Sequence, residues 1–216
     1  MSKKELIDEA RTALESFNIE KTVEYVKKAL QAGVEPLEII NEGLSKGLLK
    51  LGELFEKREI YLPELIVAAE AMKEAMKLLR PMLEARNQEI PRIGRVLIGT
   101  IEGDIHDIGK NIVASVLQAA GFEIIDLGKD VPVEVFVKKV RELAPDIVGV
   151  SALLSTTALK QGELIKRLEQ EGLKEHVIIM IGGAPTSREW QQEIGADGYA
   201  ADALGAVEEA KQLIKR

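Results

Sequence analysis

The chain has 216 residues, and 29 Lys and Arg stand against 36 Asp and Glu, a formal charge of −7. That acid excess excludes a protein whose main work is gripping nucleic-acid phosphates, and a balance of 46% hydrophobic to 30% charged residues excludes a disordered chain. The absence of cysteine removes disulfides, thiolate nucleophiles, zinc–thiolate sites and iron–sulfur clusters, and the presence of only two histidines, His106 and His176, removes a multi-histidine metal cage.

The first ~90 residues read as helix throughout. Leu6, Ala10, Ala13 and Leu14 repeat at helical spacing. Asn18 is an N-cap for a second helix, Ile19 to Gln31, that ends at Gly33. A third starts near Pro36, a good first-turn residue, and runs through Leu37, Ile40, Leu44, Leu48, Leu51 and Phe55. A fourth begins near Pro63 and carries Leu65, Ile66, Ala69, Met72 and Met76, with Pro81 expected to kink it or stop it nearby. Four amphipathic helices joined by short turns predict a small bundle over residues 1–88. The opening MSKKELIDEARTALESF carries acids and a helical period, so it is not read as a secretory signal. No run of about 18 apolar residues occurs, so neither a transmembrane helix nor a membrane partner is expected. The lack of cysteine fits a reducing cytoplasm.

The pattern changes after Arg86. RNQEIPRIGR is polar, holds Pro91 and Gly94, and reads as a linker. Beyond it, short β-branched runs at 96–100, 122–128, 146–152, 177–183 and 197–201 alternate with helical segments at 109–120, 132–143, 158–171, 187–194 and 203–215. Strand–helix alternation predicts a five-stranded parallel sheet with helices on both faces over residues 89–216, in the flavodoxin-like (Rossmann-type) order 2-1-3-4-5. The fold class is therefore α + α/β. Ligands in such sheets sit beyond the carboxyl ends of the strands.

Three loops there carry chemistry. The first reads Glu102-Gly103-Asp104-Ile105-His106-Asp107-Ile108-Gly109-Lys110-Asn111. Asp104 and His106 are close enough to meet, and an imidazole that binds a metal through one nitrogen can give its other proton to a carboxylate. Alone, Asp-x-His reads more simply as a loop histidine bonded to a neighbouring acid. The loop after strand 3, Ser151-Ala152-Leu153-Leu154-Ser155-Thr156-Thr157, offers four hydroxyls, for a polar ligand or for a helix cap. The loop after strand 4, Gly182-Gly183-Ala184-Pro185-Thr186, makes room for a close approach or simply ends a strand. His176 reads as surface, and Trp190 as packing.

Taken together, Asp104-x-His106-x-x-Gly109, Ser151-x-Leu153 and Gly182-Gly183 resemble the cobalamin-binding signature of the base-off, His-on class, each element after the expected strand. The helical half resembles the cap module that precedes this domain in methionine synthase and in the corrinoid proteins of methylotrophic methyltransferase systems. The segments IGTIEGDIHDIGKNIVAS, FEIIDLGKDVPVEVFVKKV and GGAPTSREWQQEIGADGYA are most similar to the dimethylamine and trimethylamine corrinoid proteins, with relatives serving quaternary amines.

The resemblance implies that the cofactor is cobalamin or a related corrinoid, in methyl or hydroxo form, with His106 as the lower ligand to cobalt. Asp104 matches the acid bonded to that histidine. Thr157 falls where methionine synthase has a serine, and its hydroxyl can complete the triad. Asp107, Ile108, Gly109, Ser151, Leu153, Ser155, Thr156, Gly182, Gly183 and Ala184 match the cofactor-lining loops, and Tyr199 and Ala200 lie toward the far end of the channel for the displaced nucleotide tail. Phe55, Leu62 and Leu65 align with apolar cap residues over the upper face; their plainer reading is bundle core. The implied function is methyl carriage between a substrate methyltransferase of methylamine or quaternary-amine type and an acceptor methyltransferase for a thiol or pterin. The implied chain is a corrinoid subunit that needs both partners and a corrinoid-activating reductase, and binds no nucleic acid.

Four other readings fit the sequence less well. A cobalamin-dependent mutase subunit would need a TIM barrel, which these residues do not contain. A cobalamin-sensing module without methyl transfer would need an output segment, and no helix-turn-helix pattern is read. A receiver-like domain would need a phospho-acceptor Asp after strand 3, where Ser151 and Ser155 stand. A Ser–His–Asp hydrolase would need a nucleophile elbow of the G-x-S-x-G kind.

Overall fold

The computed structural model describes residues 1–85 and 92–215. The expected boundary at 88/89 and most of the expected linker fall on 86–91, outside the described residues. The chain separates into two compact units, one carrying Met1–Arg92 with Gln118–Gly121, the other Ile93–Leu117 and Phe122–Arg216.

The first unit is helical. In α1 (Lys3–Glu15) Ser2 and Glu5 form a reciprocal cap: the Glu5 N–H donates to Ser2 Oγ at 3.2 Å and the Ser2 N–H to Glu5 Oε2 at 2.7 Å. In α2 (Ile19–Gln31) the Asn18 side chain accepts from the Lys21 N–H at 2.9 Å, the cap expected there. Pro36 opens the third helical stretch, but that stretch is not one uninterrupted α-helix. It passes from α3 (Pro36–Glu38) through a π-helical turn (Ile39–Leu44) into α4 (Ser45–Glu56). The wider turn lets consecutive Ile39 and Ile40 both bury completely, while Leu37 is half-buried. Gly43 and Gly47 then lie against α1, where an added Cβ would come within 3.2 Å of Ile7 and Leu14 side-chain carbons.

The fourth helix, α5 (Leu62–Glu84), runs through Pro81 and stops three residues later. Its fully buried face is Leu65, Ala68, Ala69, Ala71, Ala75, Leu79 and Leu83; Ile66, Met72 and Met76, expected on that face, are half-buried on its flank. Alanine there permits close helix packing, and the longer methionines reach its rim.

The second unit is a parallel sheet of β1 (Arg95–Thr100), β2 (Glu123–Asp126), β3 (Ile147–Ser151), β4 (Ile178–Gly182) and β5 (Gly198–Tyr199), in the order β2-β1-β3-β4-β5. Helices α6 (Ile108–Ala119), α7 (Val133–Leu143), α8 (Ser155–Gln170), α9 (Arg188–Ile194) and α10 (Ala203–Leu213) connect and follow the strands. Leu97, Val148, Ile179, Phe136 and Ile165 share one buried aliphatic core. The Phe136 ring packs so closely on β1 that a Cβ on Gly99 would lie 2.7 Å from it.

Within the second unit one element differs materially from expectation. α8 begins at Ser155, not 158, so Ser155, Thr156 and Thr157 form its first turn and not a loop. Register sets the site: Thr100 pairs with Ser151 and Ser151 with Gly182, so the loops after β1, β3 and β4 leave the sheet side by side. Among the described residues no helix is long and apolar enough to cross a membrane.

Candidate functional site

Asp104 is fully buried where these loops meet. Its Oδ1 lies 2.7 Å from His106 Nδ1 and accepts the His106 N–H at 3.1 Å. Its Oδ2 accepts the Thr157 hydroxyl at 2.7 Å and the Leu153 N–H at 2.7 Å, with the Leu154 N–H at 3.3 Å. Burial by itself would raise the carboxyl pKa. The Leu153 N–H, the Thr157 hydroxyl and the two His106 donors outweigh burial and hold it well below the usual carboxylate range. Asp104 is therefore an anion, with acceptor capacity only.

That fixes the imidazole. Nδ1 must carry the proton it shares with Asp104, which leaves the Nε2 lone pair free. The His106 side chain is 49% exposed beside a carboxylate of 0% exposure, so one nitrogen is anchored in the protein while the ring opens to the outside. Thr157 reaches Asp104 because it sits in the first turn of α8, and its γ-methyl lies 3.5 Å from where a Cβ of Gly103 would stand. The sequence places Asp104 and His106 in one loop and Thr157 in another segment, and the parallel register brings the two together.

The β2–α7 loop closes the other side. The Thr100 N–H donates to the Gly128 carbonyl at 2.9 Å, and the Thr100 hydroxyl to the His106 carbonyl at 3.1 Å. The Asp130 N–H donates to the Asp104 carbonyl at 2.9 Å, and Asp130 Oδ1 accepts the Gly103 N–H at 2.8 Å. Thr100, Gly128 and Asp130 were not singled out from sequence. A Gly-x-Asp turn after a strand was the available signal.

The remaining expected residues divide. Ile108 and Gly109 open α6; Ile108 is 78% exposed, and a Cβ on Gly109 would meet nothing within 4 Å. Leu153, Ser155, Thr156, Gly183 and Ala184 are exposed, and Asp107, Ser151 and Gly182 half-buried. Gly183 has a structural reason of its own. Its φ is +122°, and a Cβ there would lie 1.7 Å from the Ala152 carbonyl oxygen. Tyr199 ends β5 with the Arg188 guanidinium 5.6 Å from its ring centroid, and Ala200 follows, its N–H on the Ile181 carbonyl. In the first unit Leu65 is fully buried, and Phe55 and Leu62 are half-buried. His176 is exposed. Trp190 packs on the sheet core and donates from Nε1 to the buried Gln161 side chain at 3.1 Å; Gln161 in turn donates to the Val150 carbonyl at 3.0 Å.

These residues fit a large, flat, mostly apolar macrocycle with a metal at its centre. His106 offers one unengaged nitrogen. Ile105, Ile108, Leu153 and Leu154, on the same loops, are 65%, 78%, 43% and 44% exposed, an apolar surface of the kind that marks a binding site. Open space stands over Gly109.

Fold and site together define a cofactor-binding domain of the B12 type. The family model described as the B12 binding domain matches residues 94–208, and a second model with the same description matches residues 6–80. The chain belongs to the family of methylamine corrinoid proteins, and its cofactor is cobalamin. It is 42% identical over 213 residues to trimethylamine corrinoid protein 1 of Methanosarcina acetivorans, covering 99% of both chains. To dimethylamine corrinoid protein 1 of Methanosarcina mazei it is 44% identical, covering 99% of this chain and 98% of the relative. Among solved structures, the methanol:cobalamin methyltransferase complex MtaBC of Methanosarcina barkeri matches with a TM-score of 0.85 and 30% identity, over 98% of this chain and 80% of that one.

Proposed function

We propose that this chain carries methyl groups on cobalamin in the cytoplasm, with His106 Nε2 as the lower ligand to cobalt. Bound cobalamin supplies a cobalt centre that accepts a methyl group and gives it up again. The protein supplies the rest. Asp104 holds His106 in the tautomer that ligates, and Thr157 with the Leu153 and Leu154 amides holds Asp104 ionised. When Nε2 is not ligating it can take a proton, and the Asp104 charge balances the imidazolium. Ile105, Ile108, Leu153 and Leu154 offer apolar contact to the macrocycle. Gly109, Ser151 and Gly182 would line the room for the displaced nucleotide tail, with Gly183 letting the chain turn there against Ala152, and with Tyr199 and Ala200 toward the far end. The first unit acts as a cap, with Phe55 and Leu62 its apolar contribution.

The donor side is a methyltransferase of methylamine or quaternary-amine type, in keeping with the similarity to trimethylamine and dimethylamine corrinoid proteins. The acceptor side is a methyltransferase that passes the group to a thiol or pterin, and a reductase restores the cofactor after oxidation. The observation that carries this reading is the half-exposed imidazole fixed on a buried anion.

The test is the ultraviolet–visible spectrum of the chain reconstituted with hydroxocobalamin, beside His106→Ala. Stoichiometric retention with a His106-dependent spectrum is expected. An unchanged spectrum in the folded variant removes His106 as ligand, and no retention by the folded wild type removes the carrier.

A further inference from the structure

Among the described residues two charged side chains are fully buried, Asp104 and Lys110. They flank His106 in the chain. Asp104 has its place in the site; Lys110 has none so far. Its side chain is 1% exposed, with Nζ 2.5 Å from Asp126 Oδ2 and 2.6 Å from Asn111 Oδ1. The position is unfavourable for a cation on two counts: it is buried, and it lies in the first turn of α6, where the helix dipole presents its positive end. Methionine would fill similar space without that cost.

What the ion pair adds is direction. Asp126 ends β2, and its other oxygen, Oδ1, accepts the Gly128 N–H at 2.8 Å. Gly128 in turn accepts from Thr100, Thr100 donates to the His106 carbonyl, and Asp130 grips Asp104 and Gly103. The β2–α7 loop thus holds one side of the histidine loop. Lys110 ties that loop, through Asp126, to the helix on which the histidine loop ends.

We propose that the pair of buried Lys110 with Asp126 is a positioning device for His106. It fixes the end of the histidine loop to β2 as Asp104 fixes its start to α8. The proposal rests on the reading of His106 as cobalt ligand, and Lys110 acts through the loop without touching the cofactor.

The test uses the full chain as wild type, Lys110→Met, Asp126→Ala and the double variant. Hydrogen exchange is followed in the cofactor-free protein at the amides of Gly103, His106, Gly128 and Asp130. Hydroxocobalamin affinity is measured alongside, with the axial-nitrogen splitting in the electron paramagnetic resonance spectrum of the cob(II)alamin form. Lys110→Met should exchange about tenfold faster at those amides, with β3 and β4 unchanged. It should bind about tenfold more weakly, with a diminished nitrogen splitting. The double variant should be no worse than the worse single one, because the pair acts as a unit. Wild-type exchange, affinity and splitting in folded Lys110→Met would overturn the proposal. If Lys110→Met does not fold, Asp126→Ala decides alone, since the Asp126 side chain is 40% exposed and at a strand end. If the wild type takes up no cofactor, the carrier reading fails, while the exchange data still decide whether the pair orders the loop.

Discussion

At the scale of single residues, the site turns on one carboxylate that is buried and yet ionised. Its partners come from two segments, its own loop and the β3–α8 junction, and each donates to it. The sign of the linkage follows. A carboxyl whose pKa is depressed on folding adds stability that is fully present above its ordinary value of 3.8 and is lost as pH falls below it. Asp104→Asn lacks that contribution. The stability gap between wild type and variant, measured by urea denaturation of the cofactor-free protein, should therefore be wider at pH 5 than at pH 3. A gap that stays constant or widens toward pH 3 would mean that Asp104 is not held as an anion in the folded state.

At the scale of elements, two glycines of the expected signature act for opposite reasons. A Cβ at Gly183 meets the Ala152 backbone, whereas one at Gly109 meets nothing. Gly183→Ala should thus destabilise the cofactor-free protein by about 1–3 kcal/mol, the cost of forcing atoms into a filled space. Gly109→Ala should stabilise it by about 0.5–1 kcal/mol, as alanine does inside a helix, and still weaken hydroxocobalamin uptake. Thermal unfolding and a binding titration of both variants separate the cases; unimpaired uptake by Gly109→Ala would mean that the cofactor does not approach α6 there. These positions also show what could be read in advance. The strands were legible to within a few residues because β-branched runs alternate with helical stretches; the alternation implied a parallel sheet, and its order came from the flavodoxin-like pattern. The start of α8 was not, because Ser-Thr-Thr serves equally as loop, cap or first turn. The π-helical turn was hidden because Ile39 and Ile40 satisfy a helical stripe in either geometry. Asp104 and His106 stood out as a pair, but the Leu153 and Leu154 amides carry no side-chain signature. Lys110 reads as a solvated helix lysine until Asp126, 16 residues away, is brought beside it by the parallel pairing of β1 and β2.

At the scale of the whole molecule, every member of the aliphatic core beneath the sheet lies between Leu97 and Tyr199. The His106–Asp104–Thr157 relay, its backbone donors and the Lys110–Asp126 pair all fall within the same stretch. The second unit therefore contains both a core and all the residues proposed for the lower-ligand site, and about 125 residues is enough chain to close a stable domain. Residues 92–216 expressed alone should unfold in one cooperative transition and take up hydroxocobalamin with a spectrum that His106→Ala abolishes. Circular dichroism against temperature and the same reconstitution assay check the two halves of that expectation. A fragment that folds but takes up no cofactor would place part of the binding energy in the helical unit and make Phe55 and Leu62 the residues to replace next. A fragment that binds as the full chain does would mean that the helical residues contribute nothing to cofactor uptake.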